Sequence, residues 1–181
     1  MSTINGINQE QLNNAFEAVR QNPALAKASL QAKTTWSAGL QSQVEMGSAA
    51  QAYGKASQSR SYQVFADQAE ALLGQYSAPA AMETLVAAAG ASIAGGWAAF
   101  GAAKGINVEK LEIELQAEVD LQGSMGLSQG VRPGLQQITG NIYVKSSASD
   151  AQLQELKETA EKLSPVVDSL RVPVKTKLIR M

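Results

Sequence analysis

Neither cysteine nor histidine occurs anywhere in the 181 residues. Their joint absence excludes a thiolate nucleophile, a disulfide, a Cys/His zinc site and a Ser-His-Asp triad. Chemistry by Lys, Arg, Tyr, Asp or Glu stays open, and so does a cation held by carboxylates alone. Aromatic residues are scarce at 5%, and much of the 45% hydrophobic content is Ala. Charge of one sign is lacking as well. Fifteen basic residues face sixteen acidic ones, for a net charge of -1. A chain so balanced has no electrostatic footprint for nucleic acid. The opening MSTINGINQEQLNN is polar and does not read as a secretory signal. With zero cysteines this places the expected location in the cytoplasm.

One uncharged run is present. Residues 85–103 are mostly Ala and Gly, with Leu85, Val86, Ile93, Trp97 and Phe100 as the larger apolar side chains. The length approaches that of a bilayer span, but so much Ala and Gly makes a weak insertion signal. The expectation is a buried central helix over 81–104 and no membrane contact. Glu83 in its first turn and Lys104 in its last complement the helix dipole. Gly105 followed by Ile106 suits a Schellman end.

Before it, Asn8 and Gln11 predict the N-cap of a first helix stopped by Asn22-Pro23, so that residues 1–23 read as a helical appendage. Residues 28–37, 40–46 and 59–66 read as strands, the first two joined around Ala38-Gly39. After the central helix, residues 111–122 alternate strictly between apolar and polar, as in a strand with one wet face. A Gly-rich connection over 123–134 leads to a strand at about 135–145. Ser149 and Gln152 form a capping box for the next helix, Ser164-Pro165 ends or kinks it, and a last strand follows Arg171. The string β-β-β-α-β-β-α-β predicts a single α+β domain over 1–181.

Three stretches invite a chemical reading and do not sustain one. The carboxylates Glu112, Glu114, Glu118 and Asp120 lie too far apart along a strand to share a cation, so no metal site is expected. The loop QGSMGLSQGVRPG lacks the Gly-Lys-Ser/Thr ending of a phosphate loop. Gly90-Ala91-Ser92-Ile93-Ala94 approaches a nucleophile elbow but sits inside a helix, without a histidine. Lys175, Lys177 and Arg180, with Arg171, charge the last strand and protect its edge.

Read together, the central-helix region and the ladder after it resemble the OsmC/Ohr family of hydroperoxide reductases linked to stress. The landmarks are Ala78-Pro79, Met82-Glu83-Thr84-Leu85, Ala88 to Ser92, and Ala103-Lys104-Gly105-Ile106. Leu111 to Asp120, Leu127 with Val131-Arg132-Pro133-Gly134, and Leu163-Ser164-Pro165-Val166 continue them; Trp36, Gly39, Arg60 and Gly74 add a divergent subgroup's pattern. The resemblance implies an α+β OsmC-like fold: an intertwined homodimer with long central helices wrapped by antiparallel sheets. It also implies a peroxidatic cysteine on the central helix and a resolving cysteine in a later Cys-Pro. Ser92 and Ser164 stand at those places. The family's Glu, which orients an Arg towards the peroxide, corresponds to Met82, with Glu83 beside it; Arg60 and Arg20 are the candidates for the Arg.

The resulting expectation is a homodimer without thiol-peroxidase chemistry, needing no cofactor, that binds a small, largely apolar molecule at the subunit interface. The alternative is an enzyme of different chemistry using Ser92, Arg60 and Glu83. A third class, a protein acting through its surface alone, finds no exposed hydrophobic run to support it.

Overall fold

Asn-Gly is the dipeptide best suited to a two-residue hairpin, because both central residues must take positive φ. Asn5 and Gly6 do so, at φ 54° and 74°. They close β1 (Thr3–Ile4) onto β2 (Ile7–Asn8) in a small antiparallel ribbon that the sequence pattern did not reveal. The structure is a computed structural model of the chain and describes residues 3–47, 61–170 and 172–181. Asn8 then starts α1 (Gln9–Gln21) as expected, its Oδ1 accepting from the Gln11 N–H at 3.0 Å. A short 3₁₀ turn at Pro23–Ala26 follows.

The chain divides into two compact units, one comprising Asn13–Thr84 and the other Met1–Leu12 with Leu85–Met181. In the first, β3 (Ala32–Ala38), β4 (Gln41–Met46) and β5 (Tyr62–Ala66) form an antiparallel sheet in that order. The turn falls at Gly39 as expected, with φ 53°, and the Trp36 Nε1–H donates to its carbonyl at 3.0 Å. The first strand of this sheet begins at Ala32, four residues later than the alternation suggested.

The long helix α2 runs Ala81–Ala103. Ala89, Ile93, Trp97 and Gly101 recur every fourth residue and are buried, one stripe of a helix whose polar positions are few. Among the described residues it is the one helix long and apolar enough, by length and composition, to cross a bilayer. Its C-terminus is the Schellman end foreseen from Gly105: Ile106 N–H donates to Gly101 O at 2.8 Å, Gly105 N–H to Ala102 O, and Gly105 has φ 72°. The N-terminal hairpin reinforces that end. Asn5 Nδ2 donates to the Ile106 and Ala98 carbonyls at 3.0 and 3.3 Å, and its Oδ1 accepts from Val108 N–H at 2.7 Å.

The second sheet contains β6 (Lys110–Val119) and β7 (Leu135–Lys145), antiparallel over their length, and β8 (Val174–Arg180) beyond β7. Two details differ from the expected pattern. The β6 strand stops at Val119, because Asp120 Oδ1 accepts from Gln122 N–H at 3.0 Å and caps the short α3 (Leu121–Ser124). The sheets are antiparallel with one exception: β8 runs parallel to β7. Between them lie α4 (Asp150–Lys162), opened by the expected Ser149/Gln152 capping box, and α5 (Pro165–Ser169). A helical crossover between neighbouring strands returns the chain in its original direction. Trp97 and Ile93 of α2, Leu153, Leu156 and Ala160 of α4, and Ile142 and Val144 of β7 form the core of this unit.

At Gly140 the β6–β7 ladder leaves no room for a side chain; an added Cβ would lie 2.0 Å from Glu114 O. Gly140→Ala should therefore lower the unfolding free energy by about 2 kcal/mol or more. Urea denaturation checks this, and an unchanged midpoint would mean that the ladder yields there at little cost.

Candidate functional site

The two serines singled out by resemblance sit on different elements of one unit. Ser92 is in the middle of α2, half-buried; Ser164 is the N-cap of α5 and only 2% exposed. The approach of α2 to α4 between them is made by small residues. A Cβ on Gly96 would lie 3.1 Å from Ala160 Cβ. One turn before Gly96 and one turn after Ala160, the two hydroxyls meet with Oγ···Oγ 2.7 Å. Ser164 Oγ also accepts from Val167 N–H at 3.2 Å, which fixes it as the cap of the short helix that Pro165 begins.

Among the described residues none of the other expected site residues hydrogen-bonds to either serine. Glu83 is exposed, and its Oε2 accepts from Ala80 N–H at 2.7 Å, the return half of a capping interaction at the start of α2. It lies nine positions, two and a half helical turns, before Ser92. Met82, which the resemblance sets against the family's Glu, is half-buried. Arg60 lies outside the described residues. Arg20 is on exposed α1 and pairs with Glu17.

Other polar groups are committed to structure. The Lys157 ammonium, almost enclosed, pairs with Glu161 at 2.9 Å, and Thr176 Oγ1 donates to the same carboxylate. No free amine is left there for nucleophilic work. On β6 the acidic side chains face solvent: Glu112 pairs with Lys110 at 3.6 Å and Glu114 accepts from Tyr143 OH at 3.1 Å. That hydrogen bond, with burial, pushes the Tyr143 phenol up from its ordinary value, so it remains a donor. Among the described residues no three Asp or Glu side chains gather to hold a metal ion.

Sequence reasoning missed Asp67, in the other unit. It is 1% exposed and has no cationic partner among the described residues. Neutral donors surround its carboxylate instead: Ser77 Oγ at 2.7 Å, Gln68 N–H at 2.8 Å, Ser77 N–H at 3.1 Å, Gln75 N–H at 3.2 Å and Gln41 Nε2 at 3.3 Å. The Ser77 hydrogen bonds above all, against the opposing cost of burial, hold the carboxyl well below the usual range. The effect is to tie residues 67–77 into a fixed loop containing two positive-φ positions, Leu73 and Tyr76. The adjacent cavity, about 70 Å³ and lined by Gly39, Gln41, Leu73 and Gly74, is too small for an organic ligand. Only the Asp-x₇-Gln-x-Ser spacing of loop residues hinted at this hub.

The architecture is thus a mixed α+β fold in which a long apolar helix packs on a three-stranded sheet. The sequence matches the OsmC-like protein family over residues 74–179, more than half of the chain, and the chain belongs to that family. Solved structures agree in fold. An OsmC-like protein of unknown function from Vibrio cholerae superposes with a TM-score of 0.64 at 13% identity, covering 84% of this chain and all of that one (100%). The organic hydroperoxide resistance protein OsmC of Legionella pneumophila gives 0.58 at 13% identity, with 83% and 96% covered. An organic hydroperoxide resistance protein of Bacillus subtilis gives 0.50 at 17% identity, with 83% and 97% covered. No curated protein matches the sequence.

Because the folded Asp67 carboxyl titrates below its unfolded counterpart, its stabilising effect is complete above the unfolded pKa of about 4. It is lost as pH falls through that value towards the folded one. Thermal unfolding followed between about pH 6 and pH 2 should show a steeper acid loss for the wild type than for Asp67→Asn. Parallel curves would mean that the carboxylate is not the stabilising species.

Proposed function

We propose that this chain is a non-catalytic, OsmC-like homodimer that binds a small, largely apolar molecule in a stress-linked role. The observation that carries the reading is the 2.7 Å contact of Ser92 Oγ with Ser164 Oγ. At these two positions the family resemblance places the peroxidatic and resolving cysteines. Two hydroxyls in contact preserve the meeting of the two elements while removing the redox chemistry: an alcohol has neither the nucleophilicity of a thiolate nor a route through sulfenic acid to a disulfide. Relatives of this fold are described as hydroperoxide resistance proteins. Organic hydroperoxides pair an apolar body with a small polar head, and a fold shaped for such molecules without the reactive sulfur is suited to binding rather than turnover. The dimer part of the reading is supported by α2, whose Leu85, Ala87, Ala88, Ala91 and Gly95 are exposed in the single chain. The same reading keeps the protein in the cytoplasm. Catalysis by Ser92 with Glu83 finds no support in the contacts of either side chain.

Native mass spectrometry of the untagged protein tests this directly. The expected result is a dimer carrying a reproducible small-molecule adduct. A dimer that carries nothing and takes up neither fatty nor hydroperoxide compounds overturns the binding role, and a monomer overturns the dimer.

A second test restores the sulfurs. Wild type should show no thiol-dependent consumption of cumene hydroperoxide. In Ser92→Cys/Ser164→Cys, one thiolate attacks the peroxide to give a sulfenic acid and an alcohol, and the second thiol condenses with it, releasing water and forming an intrachain disulfide. Intact-mass analysis under denaturing conditions should show the loss of two hydrogens. Two thiols still open to alkylation after peroxide treatment would mean that the two positions are not the redox pair's places.

A further inference from the structure

Ser92 departs from what a helical hydroxyl ordinarily does. Thr84, Thr159 and Ser169 each donate to the carbonyl four residues back, at 3.2, 2.8 and 2.7 Å. Ser92 makes no such bond among the described residues; its one hydrogen bond is to Ser164. The direction of that bond follows from the inventory of each group. Ser164 Oγ already accepts from Val167 N–H and is 2% exposed. Among the described residues its proton has one acceptor within hydrogen-bond reach, Ser92 Oγ. If Ser92 were the donor, the Ser164 proton would be buried without a partner, at the cost of a lost hydrogen bond. Ser92 is half-buried, so its own proton is not confined in this way.

We infer that Ser164 donates to Ser92, and that Ser92 therefore presents its O–H outward as a hydrogen-bond donor to the ligand. Resting on the binding role proposed above, this narrows the ligand to an apolar molecule with an acceptor head, such as a ketone, ester or ether oxygen. Ser92 is then a specificity residue and not a nucleophile, since among the described residues no basic group hydrogen-bonds to it to take its proton. Ser164 is a positioning residue that acts through Ser92.

Two probes of equal chain length separate the acceptor head from the apolar body: 2-nonanone and nonane, each measured by headspace partitioning over the purified protein. Ser92→Ala should weaken 2-nonanone about five- to tenfold and leave nonane unchanged, the loss of one net hydrogen bond. Ser92→Thr, which keeps the hydroxyl, should restore the ketone. Equal effects on both probes, or none on either, overturn the assignment of the ligand head. If neither probe binds wild type, it is the binding role itself that falls. The bond direction is decided independently of any ligand by NMR. The Ser164 hydroxyl proton should be protected from exchange in wild type and move upfield in Ser92→Ala; an unmoved resonance overturns the direction.

Discussion

Everything distinctive about the site depends on how near α2 comes to α4. Helix separations are set by the side chains at the contact. At this one a hydrogen atom on Gly96 faces a methyl group on Ala160. A larger residue at either position would hold the elements apart by more than two short side chains could bridge. Because they are small, Ser92 and Ser164 bond directly, 72 residues apart in sequence. Cysteine has the same number of side-chain heavy atoms as serine, so the spacing that suits two hydroxyls is of the order that suits a pair of sulfurs.

The buried polar groups elsewhere are nearly all spent on structure. Asp67 is held by neutral donors from its own loop and from Gln41, so no cation is needed to keep it charged. Lys157 and Glu161 neutralise one another, with Thr176 taking up a further carboxylate oxygen. Asn5 satisfies both carbonyls and an amide near the end of α2. The Trp97 Nε1–H is the exception, buried in the core with no partner among the described residues. Such an orphan costs about 1–3 kcal/mol, a sum that burial of an indole of this size offsets. Against this background the serine pair is the place where a polar atom within the α2–α4 contact is still available to something outside the chain.

What could be read in advance was what is local. Asn8 with Gln11, Ser149 with Gln152, and Gly105 with Ile106 act within one turn of their helices, so their spacing in sequence is their spacing in space. The alternation from Leu111 to Val119 survives for the same reason, since a strand with one wet face needs no other information to set its pattern. The failures are the long-range or side-chain-driven features. Asp120 ended a strand whose alternation ran on past it, because one carboxylate captured an amide. The parallel partnership of β8 is decided by the α4–α5 crossover and leaves no periodic trace. Asp67 looked like any loop acid, and its donors lie up to 26 residues away. The serine pair was legible only through resemblance; composition could exclude sulfur but could not say which two hydroxyls would touch.

If Ser92 and Ser164 stand where the family has its two cysteines, as the resemblance implies, oxygen in place of sulfur changes what the site can do more than where its atoms lie. A thiolate in such a pair serves as nucleophile first and as half of a disulfide afterwards, and both steps rely on a sulfur that ionises and changes oxidation state. A hydroxyl does neither under the same conditions, but it surpasses a thiol as a hydrogen-bond donor and acceptor. The exchange therefore converts a reactive pair into a directional one. A buried hydroxyl, held as a helix cap, orients a second that is less buried, and the latter can recognise an oxygen acceptor without transforming it. Fold alone does not settle function; on the role proposed for this chain, the chemistry of two oxygen atoms separates recognition from turnover within a shared architecture.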